Sequence, residues 1–270
     1  MTLRDHTPAA LKRRVRSTLA AVGVEIGAYT GSFAQHRDDL LRAASVATAW
    51  DVGANLGQYA EALRRGGFQV RVISIEPGAA AFRGLWARAQ RDNGWIALRT
   101  AVAESAGERV LHVSRNGQSS SLLPMLARHL DAAPDSEITG EETVCVTTLD
   151  DLRADSGAPP PYFLKLDLQG GELAALSGAS RLLQQTSACE VEISLAALYE
   201  GAPTWEEVTA HLRAAGFMLC DLERVFFDRA SHDLLQVNAL FRRAAARRSA
   251  LPEASRRSTP GPGPTPTRAA

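Results

Sequence analysis

Short apolar runs alternate along the chain with stretches of helical spacing, which is the pattern of an α/β protein. The runs are rich in branched and aromatic residues and end in glycine, proline or an acid, as buried strands do. The pattern predicts seven such strands, over residues 46–51, 70–75, 95–102, 162–167, 189–194, 217–222 and 234–241. A helix predicted after Pro77 has one apolar face that we expect to pack in the core, formed by Phe82, Leu85, Trp86 and Ala89.

Two further segments, 108–113 and 143–147, alternate apolar and polar residues and predict an antiparallel pair of strands. Residues 115–141, which lie between them, are polar and rich in Ser, Gly and Asp. A connection of that length inside a compact domain is usually a lid or a binding loop. We therefore expect a functional role for this connection.

A glycine-punctuated loop follows the first strand. Asp51 ends the strand, and Gly53, Asn55 and Gly57 follow at alternate positions. Glycine can take a positive φ and lets a ligand approach the backbone. The second strand delivers Glu76 at its C-terminal end, where an acid typically holds ribose hydroxyls. The loop and the acid together predict a site for a nucleoside-type cofactor.

The spacing within this loop differs from that of a dinucleotide site, which would be G-x-G-x-x-G. The sequence Asp-Val-Gly-Ala-Asn-Leu-Gly-Gln-Tyr resembles motif I of the class I methyltransferases that bind S-adenosylmethionine, and in wording it resembles the FkbM family. The resemblance extends from about residue 40 to residue 243, and further segments occur in the order typical of that family. These segments are Ile75-Glu76-Pro77, Ser119-Ser120-Ser121-Leu122, Thr148-Leu149-Asp150-Asp151-Leu152, and residues 164–173, 191–194 and 198–201. The sequence departs from the family at three positions. Many members have an acid in place of Gln169, a larger residue in place of Gly171 and an Asp in place of Asn238.

The resemblance implies a Rossmann-like class I methyltransferase fold. Its sheet would have about seven strands, mostly parallel with an antiparallel C-terminal strand. It also implies O-methylation, with S-adenosylmethionine as cofactor, of a hydroxyl on a small molecule, either a sugar or glycan or a secondary metabolite. In such a sheet the adenine lies near Ala101 and Val102. Ser120 and Ser121 would face the acceptor, although a solvated serine cluster is the simpler alternative.

Three residues are the candidates for chemistry. An alcohol is a poor nucleophile, so a carboxylate within hydrogen-bond reach should take its proton as the new bond forms. Asp167, at the end of an apolar strand, is the first candidate for this base, and Glu192 is the second. Two-residue alternation places Lys165 on the same face as Asp167, where it would orient the acid. Metal assistance is an alternative device, but no compact metal-ligand motif requires it.

Two other functions compete with methyl transfer. An NAD-dependent oxidoreductase would use the same Gly53, Gly57 and Glu76, but it would be expected to show the G-x-G-x-x-G fingerprint and a substrate domain. A non-catalytic nucleoside-binding protein would keep the sheet but would be expected to lose Asp51, Glu76 or Asp167. All three acids are present.

Composition limits the partners. The 30 Lys and Arg residues balance the 30 Asp and Glu residues, so no overall field gathers nucleic acid. The three cysteines lack metal-ligand spacing and predict buried thiols. No apolar run is long enough to span a bilayer, which predicts a cytoplasmic protein. The sequence does not indicate an oligomeric state.

The chain divides into three predicted parts: a helical extension over residues 1–40, the methyltransferase domain over 41–243 and a disordered tail over 244–270. Residues 8–22 form a basic amphipathic pattern. We expect that helix to pack on the edge of the domain in preference to a membrane surface. The tail is rich in Arg, Ser, Pro and Gly and offers little to bury.

Overall fold

The computed structural model describes residues 32–244. Its helices are α1 (Phe33–Ala43), α2 (Gln58–Arg65), α3 (Ala79–Ala89), α4 (Ala127–Ala132), α5 (Leu149–Ser156), α6 (Glu172–Ser177), α7 (Ser180–Gln184) and α8 (Trp205–Ala214). Its strands are β1 (Thr48–Val52), β2 (Arg71–Ile75), β3 (Trp95–Leu98), β4 (Ala101–Val102), β5 (Gly107–Ser114), β6 (Ile138–Thr147), β7 (Tyr162–Leu166), β8 (Thr186–Ser194), β9 (Phe217–Phe227) and β10 (Leu234–Arg243).

Seven of the strands form one sheet in the order β3-β2-β1-β7-β8-β10-β9. The neighbouring pairs from β3 to β8 are parallel. The final strand, β10, runs antiparallel to both β8 and β9. The predicted Rossmann-like sheet is therefore confirmed. Strands β2 and β3 lie on one side of β1, and β7 and the strands after it lie on the other side. The strand order therefore reverses between β1 and β7, and ligands are expected at the carboxyl ends of these two strands.

The two central strands are buried at every position because helices cover both faces of the sheet. On one face, Trp50 meets the edge of Tyr162, with ring centroids 6.0 Å apart. On the other face, Ala49 and Phe163 belong to a second apolar cluster. Burying a large apolar side chain contributes about 1.5–3 kcal/mol, so these alternating residues hold the centre of the sheet rigid.

A second sheet has three strands in the order β4-β6-β5, with β5 and β6 antiparallel as predicted. The prediction of one strand over residues 95–102 was wrong. Strand β3 ends at Leu98, and Ala101–Val102 pairs with β6 instead. Thr100 lies at the break and donates a hydrogen bond from Oγ1 to the carbonyl of Cys145 at 3.0 Å, which directs the chain to the second sheet.

Two predictions of burial were wrong. Trp86 is 51% exposed, because α3 lies over the sheet's edge strand β3 and buries only the narrow line through Leu85 and Ala89. Cys145 is exposed while Cys189 is buried and Cys220 partly buried. The second sheet has one open face, and alternation along β6 turns the residues on either side of Cys145 inward.

The segment over residues 115–141 is not a single loop. It contains α4, a 3₁₀ turn over Pro134–Ser136 and the start of β6. Isolated bridges join Ser121 to His112 and Met125 to Tyr199, so the part that precedes α4 is fixed against the rest of the domain. Its position beside the ends of the parallel strands agrees with a binding segment and not with a freely hinged lid.

The predicted boundaries fall partly outside the described residues. Residues 8–22 and the segment 245–270 lie beyond them, so the expected amphipathic helix and tail stay predictions. Helix α1 spans the predicted boundary at residue 40. Within residues 32–244, no helix is both long and apolar enough to cross a membrane.

Candidate active site

A cavity of about 430 Å³ opens at the carboxyl ends of β1, β2, β7 and β8. It is lined by ten of the predicted site residues: Gly53, Asn55, Glu76, Ala101, Val102, Ser120, Ser121, Lys165, Asp167 and Glu192. Asp51 and Gly57 are the two predicted site residues that do not line it. The predicted cofactor and catalytic residues therefore converge on one place.

The turn at Gly53 brings two loops into backbone contact. Gly53 has φ +77°, and a Cβ atom there would lie 1.8 Å from the carbonyl oxygen of Asp167. The backbone N–H of Asp167 donates to the carbonyl of Val52 at 3.1 Å. Only glycine fits both the dihedral angle and the close approach. The loop after β1 and the acid after β7 are consequently one structural unit.

Glu76 faces the cavity from the end of β2. Its Oε2 accepts a hydrogen bond from the backbone N–H of Asn55 at 2.9 Å, and its Oε1 accepts one from that of Gly78 at 2.8 Å. Burial raises the pKa of Glu76 to about 7, against the lowering effect of these two bonds. A carboxylate held this way has lone pairs left for hydroxyl donors.

Asp51 and Gly57 support the loop from beneath. Asp51 is fully buried, and its Oδ2 accepts a hydrogen bond from Ser74 Oγ at 2.9 Å. Ser74 Oγ in turn accepts one from Trp95 Nε1 at 2.9 Å. A Cβ atom on Gly57 would lie 2.5 Å from the Trp95 ring. The two residues therefore shape the loop without facing the cavity.

Lys165 lies between two acids. Its Nζ is 3.1 Å from Asp167 Oδ2 and 3.9 Å from Asp51 Oδ1. Burial lowers the pKa of Lys165, but the two carboxylates outweigh burial and leave it raised, so the side chain is a cation. The side chain of Asp167 is 32% exposed against 11% for Lys165, so the acid is the more accessible of the two groups.

Gln169 joins the two candidate bases. Its Nε2 donates to Asp167 Oδ1 at 2.9 Å and also to Glu192 Oε2. Its own Oε1 accepts a hydrogen bond from the Tyr199 hydroxyl at 2.9 Å, which fixes the orientation of the amide. A second amide, from Gln236, donates to Glu192 Oε2 at 3.0 Å. The departure from the family at position 169 thus supplies a neutral bridge.

Glu192 is the second acid that Gln169 contacts. Burial raises its pKa well above the ordinary value, and the negative charges of Asp167 and Glu172 raise it further. Two carboxylates this close cannot both be ionised without a large cost. The surroundings of Glu192 therefore favour its neutral form more than water does.

Two residues that sequence reasoning missed line the same cavity. The Tyr59 hydroxyl donates to Glu190 Oε2 at 2.6 Å, and its ring is stacked parallel to Phe163 with centroids 6.4 Å apart. The Arg37 guanidinium lies over the Tyr59 ring, 5.2 Å from its centroid. Glu190 could have been predicted, because it is two residues from Glu192 on β8 and therefore lies on the same face of the strand. Tyr59 ends the segment Asp-Val-Gly-Ala-Asn-Leu-Gly-Gln-Tyr that carries the family resemblance, which was a signal for it.

The serines hold their own segment in place. Ser121 Oγ donates to the carbonyl of Gln169 at 2.8 Å and accepts from the Leu123 N–H at 3.0 Å. Ser120 Oγ accepts a hydrogen bond from the Ser114 N–H at 3.1 Å. Their hydroxyls are engaged, so contact with an acceptor stays a prediction. Within residues 32–244, no group of three or more His, Cys, Asp or Glu side chains is arranged to hold a metal ion.

A family model described as the methyltransferase FkbM domain matches residues 51–219, which is more than half of the chain. The chain belongs to the FkbM methyltransferase family. A curated relative of this FkbM-family protein, the hexuronic acid methyltransferase AglP of Haloferax volcanii, is 28% identical over 145 residues. That match covers 53% of this chain and 54% of the relative, so the chain spans about half the length of the relative.

Solved structures similar to the FkbM-family chain include a TehB-like SAM-dependent methyltransferase from Corynebacterium glutamicum, at 12% identity and a TM-score of 0.38. That likeness covers 88% of this chain and 100% of the other. A precorrin-6y C5,15-methyltransferase from Geobacter metallireducens is 11% identical with a TM-score of 0.38, and the coverage is 78% and 87%. The fold assignment rests on the strand order.

Proposed function

We propose that this protein transfers a methyl group from S-adenosylmethionine to a hydroxyl of a sugar, glycan or secondary metabolite in the cytoplasm. The observation that supports the proposal most is the position of Asp167. Its carboxylate lines the cavity, is held by Lys165 and Gln169, and follows a backbone that touches Gly53 of the cofactor loop. A base and a nucleoside-type loop are thus fixed side by side.

The residues present fit S-adenosylmethionine. Gly53 lines the cavity where the loop after β1 meets the Asp167 backbone, and Glu76 would hold the ribose hydroxyls. Ala101 and Val102 are buried and line the same cavity, where they would contact the adenine. When bound, S-adenosylmethionine supplies a methyl group on a positively charged sulfur, which a nucleophile displaces in line.

The remaining chemistry belongs to the chain. Asp167 accepts the proton of the acceptor hydroxyl as the oxygen–carbon bond forms, which contributes about 10²–10⁴ in rate. Lys165 and Gln169 hold the two oxygens of that carboxylate in place. Positioning of the two substrates supplies the larger share, roughly 7–11 kcal/mol for well-oriented reactants. A sugar is a suitable acceptor because the cavity walls are rich in side-chain hydrogen-bonding groups, and the AglP relative is named for a sugar acid.

The test is transfer of a labelled methyl group from S-adenosylmethionine to a panel of hydroxylated sugars and metabolites. Asp167→Asn should lower turnover by about 10²–10⁴, because the amide cannot take the proton. Glu192→Gln should cost less, because Glu192 Oε2 is already engaged by the amides of Gln169 and Gln236. Calorimetry should show that both variants bind S-adenosylhomocysteine nearly as tightly as the unchanged protein.

Asp155→Asn, an exposed change on α5 outside the cavity, is the matched control and should leave turnover as it is. Tight binding of NAD with no response to S-adenosylhomocysteine would reject the cofactor assignment in favour of an oxidoreductase. Near-normal turnover of Asp167→Asn would remove Asp167 from the chemistry. Activity that disappears with EDTA and returns with Mg²⁺ would make Asp167 a metal ligand instead of a base.

A further inference from the structure

The edge strand β9 carries an uncovered apolar surface. Eleven large apolar side chains within residues 32–244 are exposed, and five of them lie on β9: Met218, Leu219, Leu222, Val225 and Phe227. In the seven-stranded sheet this strand pairs with β10 alone, so its outer side is open. Scattered apolar side chains are ordinary on a protein surface, whereas a row of them on one strand indicates a surface that packs against something.

Three of these side chains, those of Leu219, Leu222 and Phe227, extend a core face of the sheet and are called here the β9 patch. Their opposite residues on β10 are Phe241, Ala239 and Leu234. Opposite residues of an antiparallel pair point to the same face of the sheet. The three β10 residues belong to the main apolar cluster or pack against it. The β9 patch therefore lies on the face that this cluster covers.

Helix α8 covers only the beginning of this face of β9. Val208 and Leu212 of α8 belong to the same apolar cluster as Phe217, the first residue of β9, which is buried. The three side chains of the β9 patch are 42%, 48% and 51% exposed, in chain order. Within residues 32–244, the layer of helices on this face thus ends before the edge of the sheet.

The described part of the chain begins beside the same strand. His36, near the start of α1, lies with its Nδ1 3.0 Å from Asp221 Oδ2 on β9. Asp221 is opposite Leu240, which belongs to the apolar cluster on the other face of the sheet. Ser32 is about one helical turn, or about 5.4 Å along the helix axis, from His36. The residues before Ser32 are therefore attached at the edge of the sheet, next to β9.

The sequence before Ser32 contains a segment that suits the β9 patch. The helix predicted over residues 8–22 has one apolar stripe, formed by Leu11, Val15, Leu19 and Val22. Thr7 and Pro8 at its start and Gly23 after its end are residue types that commonly begin and end helices. Its basic residues lie mostly off the stripe, so they stay in water when the stripe is packed.

The dimensions agree. The stripe is about 16 Å long at 1.5 Å per helical residue, and the β9 patch is about 26 Å long at 3.3 Å per strand residue. Nine residues, 23–31, join the segment to Ser32, and they reach roughly 30 Å when extended. A helix is about 10–12 Å across, so this connection can pass round the edge strand from the face of α1 to the other face.

The attachment also favours this segment over a second copy of the chain. A short flexible connection holds a segment at an effective concentration of about millimolar near its site. A separate molecule reaches that concentration only in a very concentrated solution. The attached segment is therefore the better candidate for the β9 patch.

We propose that residues 8–22 form a helix whose apolar stripe packs on the β9 patch, beside α8. The occupant of this surface is thus a segment of the same chain. The contact completes the layer of helices on this face and shields the edge strand from pairing with other chains.

The first experiment is a double-mutant cycle in the full chain, measured by chemical denaturation. Leu19→Gln keeps a good helix former and Leu222→Thr keeps a good strand former. Each change should raise the equilibrium constant for unfolding about fivefold, because it removes apolar contact. The two together should raise it little further, because both remove the same contact.

Two controls match these changes. Ser17→Gln alters the side of the predicted helix opposite to the stripe and should change the constant by less than about twofold. Met218 is exposed and opposite Arg242, on the other face of β9. The effect of Met218→Thr should therefore add to that of Leu19→Gln.

Hydrogen exchange of the full chain, followed by mass spectrometry, locates the contact. Leu19→Gln should speed exchange in peptides from residues 217–227 about fivefold or more, and Leu222→Thr should do the same in residues 8–22. Ser17→Gln should change neither segment.

Additive effects of Leu19→Gln and Leu222→Thr, or unchanged exchange of β9 in Leu19→Gln, would overturn the proposal. A dimer in light scattering that Leu222→Thr separates and Leu19→Gln does not would show that a second copy covers the β9 patch instead. Binding to vesicles containing phosphatidylserine that Leu19→Gln abolishes, with the exchange of β9 unaffected, would assign the segment to a membrane surface.

Discussion

Glu76 accepts two backbone hydrogen bonds before any ligand arrives, and it remains partly protonated near neutral pH. Its position could be predicted because an acid at the end of the second strand is a local signal. Its pKa of about 7 could not, since that follows from burial. For Asp167, too, the position could be predicted, because strand alternation places it at the cavity. The bridge through Gln169 depends on three separate elements meeting and has no local signal.

The raised pKa of Glu76 predicts pH-dependent cofactor binding. Ribose hydroxyls donate best to the ionised carboxylate, so binding favours loss of the proton. Affinity for S-adenosylhomocysteine should therefore fall as the pH drops through about 7 and be constant above it. Calorimetry between pH 5.5 and 8.5, on the order of 1.5 units either side of that pKa, measures this.

In Glu76→Gln the pH dependence should disappear, and affinity at high pH should be weaker by roughly 1.5–3 kcal/mol, the range for a hydrogen bond to a charged group. Binding that strengthens towards low pH would show that the protonated acid is the binding form.

The loop between β1 and α2 is the element on which the site depends. Its glycines could be predicted from spacing, but the partner at each glycine could not. Gly53 approaches the carbonyl of Asp167, and Gly57 approaches the Trp95 ring. Both contacts join segments distant in sequence. The error at residues 95–102 has the same origin, because an apolar run does not indicate that its two halves pair with different sheets.

Gly53→Ala should destabilise the fold far more than Gly67→Ala. The two glycines have similar φ, +77° and +83°. In both variants the free energy of unfolding should fall by about 1–2 kcal/mol, because alanine disfavours the left-handed conformation. A Cβ at Gly67 meets nothing within 4 Å, whereas one at Gly53 overlaps the carbonyl of Asp167. Overpacking should add about 1–3 kcal/mol or more.

Chemical denaturation of both glycine variants gives the two free energies of unfolding. Equal losses would mean that the loop can move away from Asp167.

At the scale of the whole molecule, Arg243 ends β10 and joins this strand to other segments. Its guanidinium donates from Nε to the carbonyl of Thr186 at 2.8 Å and from Nη1 to that of Ala215 at 3.3 Å. It also lies 4.5 Å from the centroid of the Phe217 ring. The sheet could be predicted from the pattern of apolar runs. The contacts of Arg243 could not, since they join it to the carbonyls of Thr186, Ala215 and Leu183, which are distant in sequence.

A chain shortened to end at Ala244 should melt within a few degrees of the full chain, because the sequence beyond it offers little to bury. A chain that ends at Arg242 is the control and should be less stable by about 1.5–3 kcal/mol, through the loss of charged hydrogen bonds. Thermal unfolding followed by circular dichroism distinguishes the two. A large loss on removal of residues 245–270 alone would show that they dock on the domain.

The pairing of Lys165 also matters for handling the protein. Amine-reactive esters need an accessible, unprotonated amine, and Lys165 is buried and held as a cation between two carboxylates. The sequence contains one other lysine, Lys12. A dye or biotin attached through lysine chemistry would therefore be located outside residues 32–244 and would leave the cavity unlabelled.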